Sequence, residues 1–223
     1  MVNIVEEVDA WVKIQHALIS VSDKSGLETL IPGLIEINPD VRIFSTGGTY
    51  RRIAEILGPE RTAAHLTSVA EVTGQPETQG GLVKTLDFKI YLGLLTETYN
   101  PAHQADMTRT GAVPIDLVVV NLYPFTETVA QPDVTLEEAR ANIDIGGPCM
   151  LRAAAKNYLR VAAVCDPTDY APLLDDLRAH DGALNLARRF SLARKAFAHT
   201  AHYDAAIETY LMQQDATALS VYT

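Results

Sequence analysis

Between Asp116 and Leu122 the chain reads Asp-Leu-Val-Val-Val-Asn-Leu, a nearly continuous run of apolar, largely β-branched side chains. A strand of that kind is buried on both faces, as happens when helices cover the two sides of a parallel sheet. The run extends back to Ile115, and shorter ones at Ala17 to Val21, Val41 to Thr46, Ile90 to Leu95 and Val161 to Cys165 also read as strands. Helical patterns separate them. The expected fold is therefore α/β, a three-layer parallel sheet between helices.

Leu27, Leu30, Ile31, Leu34 and Ile35 recur at helical spacing, with Pro32 inside the pattern predicting a kink or a shortened helix. Gly47-Gly48-Thr49 opens a second helical stretch through Ile53 and Ile56 to Leu57, which Gly58-Pro59 is expected to stop. Residues 66–85 are rich in Thr, Gly and Gln and read as a long ordered loop. Another loop at Gln131 to Val134 leads into the pattern Leu136 to Ala141, and Gly146-Gly147-Pro148 starts a helix from Met150 to Lys156. From Leu184 to about Met212 runs an alanine-rich helix with Leu186, Phe190, Ala193 and Phe197 on one face. A chain of 223 residues fits one core with an appendage, divided here as a domain over residues 1–180 and a C-terminal helical extension over 181–223.

Eighteen basic residues against 28 acidic ones give a formal charge of −10, which repels nucleic acid and anionic membranes. A small phosphorylated ligand stays compatible, since a few backbone N–H groups and a lysine reverse the potential locally. Cys149 and Cys165 are too few for a disulfide framework, no secretory signal is visible at the amino end, and the apolar stretches are strand-sized, so a cytoplasmic protein is expected.

Two strand ends run into small, donor-rich turns, Ser20-Val-Ser-Asp-Lys-Ser-Gly26 and Ser45-Thr-Gly-Gly-Thr49, each followed by a helix. Either alone reads as an ordinary capped βα connection. Together they place backbone donors, hydroxyls, two helix amino ends and Lys24 on the sheet edge where open α/β folds bind ligands. Gly80 to Thr85, Asn121 to Phe125, Asn142 to Gly147 and Arg152 to Asn157 bring Lys84, Tyr123, Asp144 and Lys156, a set able to move protons and stabilise charge at an amide oxygen. Taken singly these are a solvated lysine, a strand-end ring, a helix cap and a helix-end charge.

These strings, with Val83-Lys-Thr-Leu86, Ala196-Phe-Ala-His-Thr200 and Tyr203-Asp-Ala-Ala206, resemble the amino-terminal IMP cyclohydrolase unit of the bifunctional purine-biosynthesis proteins that also carry AICAR transformylase. The resemblance implies a methylglyoxal synthase-like fold and dehydrative closure of FAICAR to IMP, with FAICAR and IMP as small-molecule partners. It implies phosphate and ribose binding by Ser22, Asp23, Lys24, Thr46, Gly47, Gly48 and Thr49, and a base lined by Val83, Lys84, Thr85, Val120, Asn121, Asp144 and Ile145. It assigns catalysis to Lys84, Tyr123, Asp144 and Lys156. Asp144 is then the acceptor toward the carboxamide, Lys84 and Lys156 electrostatic donors and proton shuttles, and Tyr123 an orienting donor. No metal or other cofactor is expected, because both reacting groups belong to one molecule. A homodimer is implied, and a separate AICAR-formylating enzyme, as the transformylase half is not in the chain.

The pattern departs from the family at Leu82, where an arginine is usual, at Asp87-Phe88 in place of His-Pro, and at Tyr91-Leu-Gly93 in place of His-Gly-Gly. Loss of a guanidinium fork weakens anion or carbonyl recognition unless another base replaces it, and Arg51, Arg52 and Lys89 are the candidates. The departures leave a non-catalytic purine-nucleotide-sensing module as the alternative function, with methylglyoxal synthesis a third. His199 and His202 lack a third ligand in register and read as packing or exposed side chains.

Overall fold

Successive side chains of a strand point to opposite faces of a sheet, and in this protein each face carries its own core. The computed structural model describes residues 4–75 and 84–215, with 217, 219 and 222. Among them, β1 (Trp11–Lys13) pairs antiparallel with β7 (Ala183–Asn185) as a short ribbon. The main sheet holds β2 (His16–Val21), β3 (Arg42–Ser45), β4 (Leu66–Ser68), β5 (Leu117–Asn121) and β6 (Ala162–Val164) in the order β4-β3-β2-β5-β6. Its pairings are parallel, with Ile19 opposite both Ser45 and Val119.

On one face Ala17, Ile19, Val21, Leu117 and Val119 pack under α1 (Leu27–Ile37), α2 (Gly47–His65) and α9 (Tyr170–Ala179). On the other, Leu18, Val118, Val120 and Ala163 pack under α4 (Phe88–Leu95), α8 (Gly146–Lys156) and α10 (Leu186–Met212). Helices α3 (Val69–Thr73), α5 (Pro101–Thr110), α6 (Phe125–Val129) and α7 (Leu136–Ala141) complete the connections. The result is the three-layer parallel sheet between helices that the double-faced strands predict. The chain leaves β2 through β3 and β4 on one side and returns through β5 and β6 on the other, so the crossovers reverse at β2. The carboxyl ends of β2, β3 and β5 thereby frame a crevice, the usual ligand position in such sheets.

Several local expectations change. Ile90 to Leu95 is helix, not strand: the Asp87 carboxylate accepts the N–H of Lys89 as an N-cap, and Ile90 and Leu94 bury one helical face. The stretch at 66–85 is not simply loop, since it holds β4 and α3 before residues 76–83, which lie outside the described set. Pro32 lies inside α1 without ending it. Gly58, at φ 72°, breaks α2 before Pro59, yet the chain resumes helix to His65.

The buried face of α10 is also rotated from the expected one. Arg189, Leu192, Ala193, Ala196, Thr200 and Tyr203 face inward, while Phe190 and Phe197 lie outside, 46% and 39% exposed. Small side chains let α10 approach α8 and β6 closely, so the phenylalanines turn outward. Arg189 is fully buried and donates to the carbonyls of Tyr158, Leu159, Leu184 and Asp9, tying α10 to the end of α8, to β7 and to the amino-terminal segment. Among the described residues no helix is long and apolar enough to cross a membrane.

Candidate active site

The turn after β2 is shaped by a side chain from the neighbouring strand. Asn121 accepts the N–H groups of Ser22 and Asp23 on its Oδ1, at 2.6 and 2.9 Å, and donates from Nδ2 to the Asp23 carbonyl at 2.8 Å. Its amide therefore holds the loop. The Asp23 carboxylate accepts the N–H and hydroxyl of Ser25, bonds that hold its pKa below the usual value, and it turns away from the crevice. Ser22 and Lys24 remain on the crevice wall, with Lys24 Nζ donating to the Ser22 carbonyl at 3.2 Å.

The turn after β3 is an anion site in the making. Gly47 adopts φ 55°, a conformation that suits glycine, and Thr46 at the N-cap of α2 makes no side-chain capping bond, so the dipole end of the helix stays open. Three cations gather there. A Cβ placed on Gly47 would lie 3.1 Å from Lys84 Nζ, and one on Gly48 would lie 3.8 Å from Lys24 Nζ and 3.9 Å from Arg51 Nη2. Thr49 is spent otherwise: its buried hydroxyl accepts the N–H of Val21 and donates to the Val21 carbonyl, clasping the two turns together.

The facing wall comes from the end of β5 and the start of α8. Asp144 accepts the N–H of Gly147 at 2.8 Å. A side chain on Gly147 would strike Leu122 Cδ2 at 2.6 Å and Asp144 Oδ2 at 2.7 Å, so glycine makes room for the carboxylate. Burial raises the pKa of Asp144 above the ordinary aspartate value, outweighing hydrogen bonds from the N–H groups of Gly147 and Tyr123. The same loop is held from behind, as the N–H of Asp144 donates to the hydroxyl of Tyr203 on α10 at 2.9 Å. Between the walls lies a cleft of about 530 Å³, sized for a nucleotide, with Lys24, Lys84, Thr85, Tyr123 and Asp144 on its surface.

Comparison with known proteins agrees with this architecture. Residues 26–149 match the family model of the MGS-like domain. The chain belongs to the MGS-like domain family. Residues 154–222 match a second model, the AICARFT/IMPCHase bienzyme. The bifunctional purine biosynthesis protein PurH of Magnetococcus marinus is 52% identical over 203 residues, covering 91% of this chain, and PurH of Bacillus subtilis is 47% identical over 198 residues, covering 89%. The chain spans 37% of the length of each of these relatives. The crystal structure of ForH superimposes with a TM-score of 0.72 at 34% identity, covering 87% of this chain and 97% of that one.

In this MGS-like domain the cleft collects Ser22, Lys24, Thr46, Gly47, Gly48, Thr49, Lys84, Thr85, Asn121, Tyr123, Asp144 and Ile145 from the residues that the sequence nominates. Three others stand elsewhere. Asp23 borders a neighbouring cleft, with its carboxylate engaged by Ser25. Val120 is buried among the side chains under α4 and α8, so its side chain does not line the cleft. Lys156 is exposed at the far end of α8, whose first turn faces the cleft; eleven residues separate the ends by about 15 Å, and the lysine does not join the cleft of its own chain. Val83, like Leu82, lies outside the described residues.

Of the replacement bases, Arg51 reaches the open end of α2. Arg52 is engaged with Glu55 and Glu28, and Lys89 Nζ donates to the Val72 carbonyl. Tyr203 was visible only as part of a helical string, and no periodicity signals that a residue 59 positions from Asp144 holds its backbone. His199 and His202 border the neighbouring cleft with Lys195, which bridges Asp166 and Asp169 at 2.7 Å each. Among the described residues, no three His, Cys, Asp or Glu side chains gather as a metal site.

Proposed function

We propose that this chain is an IMP cyclohydrolase, converting FAICAR to IMP and water in purine biosynthesis. The observation that carries the reading is the opposition, across one cleft, of an open helix end with Lys24 and Lys84, and Arg51 beside it, to a half-buried carboxylate, Asp144, of raised pKa. The identity with PurH proteins over nine-tenths of the chain supports it.

In this reading the ribose phosphate rests on the N–H groups that open α2, with Lys24 and Arg51 neutralising its charge. The aminoimidazole then extends toward Thr85 and Asp144. The carboxamide nitrogen attacks the formyl carbon and gives up a proton to Asp144, while Lys84 stabilises the oxygen that gathers negative charge. Loss of the proton on the former formamide nitrogen, with both protons delivered to the former formyl oxygen, releases water and leaves the aromatic ring of IMP. Tyr123, at the rim of the cleft and half exposed, orients the carboxamide. Holding nucleophile and electrophile in one bound conformer supplies much of the acceleration. Lys156 takes no part in the chemistry of a single chain in this scheme.

The reading extends to a cytoplasmic homodimer fed by a separate AICAR-formylating enzyme, with residues 1–180 as the cyclohydrolase domain and 181–223 as its helical extension. The outward Phe190 and Phe197 give the extension an apolar surface for self-association. Purified protein incubated with FAICAR is expected to form IMP, followed by absorbance, with turnover cut by about a hundredfold or more in Asp144→Asn. IMP binding without any FAICAR conversion at high enzyme concentration would refute the proposal in favour of a nucleotide-sensing module.

A further inference from the structure

Asp144 is gripped at both its side chain and its main chain. The carboxylate takes the N–H of Gly147 in the first turn of α8. The backbone is held by Tyr203, whose hydroxyl accepts the N–H of Asp144 at 2.9 Å and donates to the carbonyl of Asn142 at 3.2 Å. One hydroxyl thus binds two peptide groups of the turn that joins α7 to α8. Its own ring is fixed: Tyr203 is 9% exposed and meets Phe125 edge-on, centroids 6.2 Å apart, while Phe125 is buried directly after Tyr123-Pro124.

These contacts converge on the reacting group from opposite directions. The bond to Gly147 fixes where the carboxylate sits relative to α8, and the N–H groups of Asn142 and Ile143 tie the start of the turn to α7. The bonds to Tyr203 fix the Asp144 end of the turn against α10. An acceptor misplaced by about 1 Å costs an enzyme a large part of its rate, because proton transfer demands hydrogen-bond reach in a near-attack geometry. We infer that Tyr203 is a positioning residue of the active site, through which the C-terminal helix α10 holds the Asn142–Asp144 turn so that Asp144 faces the substrate. The inference rests on the cyclohydrolase reading and adds to it a requirement for α10 in catalysis.

Tyr203→Phe tests it in the full chain, since it keeps the ring and its contact with Phe125 and removes both hydrogen bonds. The expected result is a fall in kcat for FAICAR closure of about tenfold, the worth of about one hydrogen bond, with KM and the Kd for IMP changed by less than about twofold. Binding is spared because the phosphate end is built by α2. Tyr210→Phe is the packing control: its ring meets the same Phe125 at 5.8 Å, but among the described residues its side chain makes no hydrogen bond to the turn, so wild-type kcat is expected.

A Tyr203→Phe enzyme with wild-type kcat, an equal loss in Tyr210→Phe, or a variant that fails to fold would overturn the inference by leaving the hydroxyl a purely structural role or none. A wild-type protein that binds IMP and closes no FAICAR overturns the cyclohydrolase reading, and the inference with it. A wild-type enzyme that turns over while Tyr203→Phe is unimpaired overturns the inference alone.

Discussion

The hydroxyl of Thr49 accepts the backbone N–H of Val21 and donates to the Val21 carbonyl, each at 3.0 Å. This pair of hydrogen bonds between the end of β2 and the start of α2 sets the spacing of the two phosphate-facing turns, and the residue is 4% exposed. Thr49→Val keeps the shape and strands both backbone groups of Val21, so it is expected to lower stability by about 1–3 kcal/mol. IMP affinity should fall with it. Urea unfolding and calorimetric titration with IMP check the two effects.

Asp144 carries a stability cost that its replacement should relieve. A carboxyl whose pKa is higher in the folded than in the unfolded chain opposes folding once it ionises, so this contribution falls as pH rises from the ordinary aspartate value of 3.8 through the folded pKa, and the loss persists at neutral pH. Asn at this position still accepts the Gly147 N–H and carries no charge. Asp144→Asn is therefore expected to raise Tm at pH 7 while cutting turnover by about a hundredfold or more. A variant with lower Tm and intact turnover would contradict both parts. In the wild type, the acid limb of the kcat/KM profile should lie above pH 3.8.

The cations at the open end of α2 divide into engaged and available ones. Lys24→Ala and Arg51→Ala are each expected to weaken IMP binding, by about threefold to tenfold, as phosphate contacts at a partly exposed site. Arg52→Ala should change nothing, because Arg52 is paired with Glu28 and Glu55 on the outer surface. Titrations at low and high salt separate the charge effect, which weakens as screening rises.

Lys156→Ala should leave IMP affinity unchanged in the monomeric chain, since the lysine stands at the far end of α8. Equilibrium binding at dilute protein concentration reads this directly. A large loss of affinity would place the lysine in the site after all.

Arg189 donates to backbone carbonyls of four residues and is sealed from water. Burial lowers its pKa, while the nearby Asp9 carboxylate acts to raise it. Arg189→Met keeps the length of the stem and removes every donor, with an expected loss of about 3 kcal/mol or more in the free energy of unfolding. Chemical denaturation monitored at Trp11 on β1 reports it.

Runs such as Leu117 to Asn121 were legible because burial on two faces leaves no polar alternation to confuse the pattern. Ile90 to Leu95 was misread for the opposite reason: a short apolar run suits a buried strand and a buried helix alike, and its cap, Asp87, stands where the family pattern has histidine. β4, three residues at the sheet edge, carries too little pattern to be seen. On α10 the large aromatic side chains at helical spacing pointed to one face, whereas close packing on α8 and β6 kept Ala193 of that face inward and buried Leu192, Ala196 and Tyr203 in place of the phenylalanines.

In the cleft, the glycine-rich turns and the residues near Asp144 were readable, and the partition of their polar groups was not. Asn121 and Thr49 look like ligand contacts in the sequence, but their side chains are committed to the loops that make the contacts. Asp23 has the same outward chemistry and faces another direction.

Local chemistry along the chain was enough to specify a parallel sheet between helices with donor-rich turns at one edge, because strand burial and helix ends depend on near neighbours. Which lysines reach the open end of α2, why Lys156 is remote and how Tyr203 comes to hold Asp144 depend on strand register and on the rotation of α8 and α10. Those are settled by packing between segments far apart in the chain, where a turn of a helix exchanges an inward side chain for an outward one.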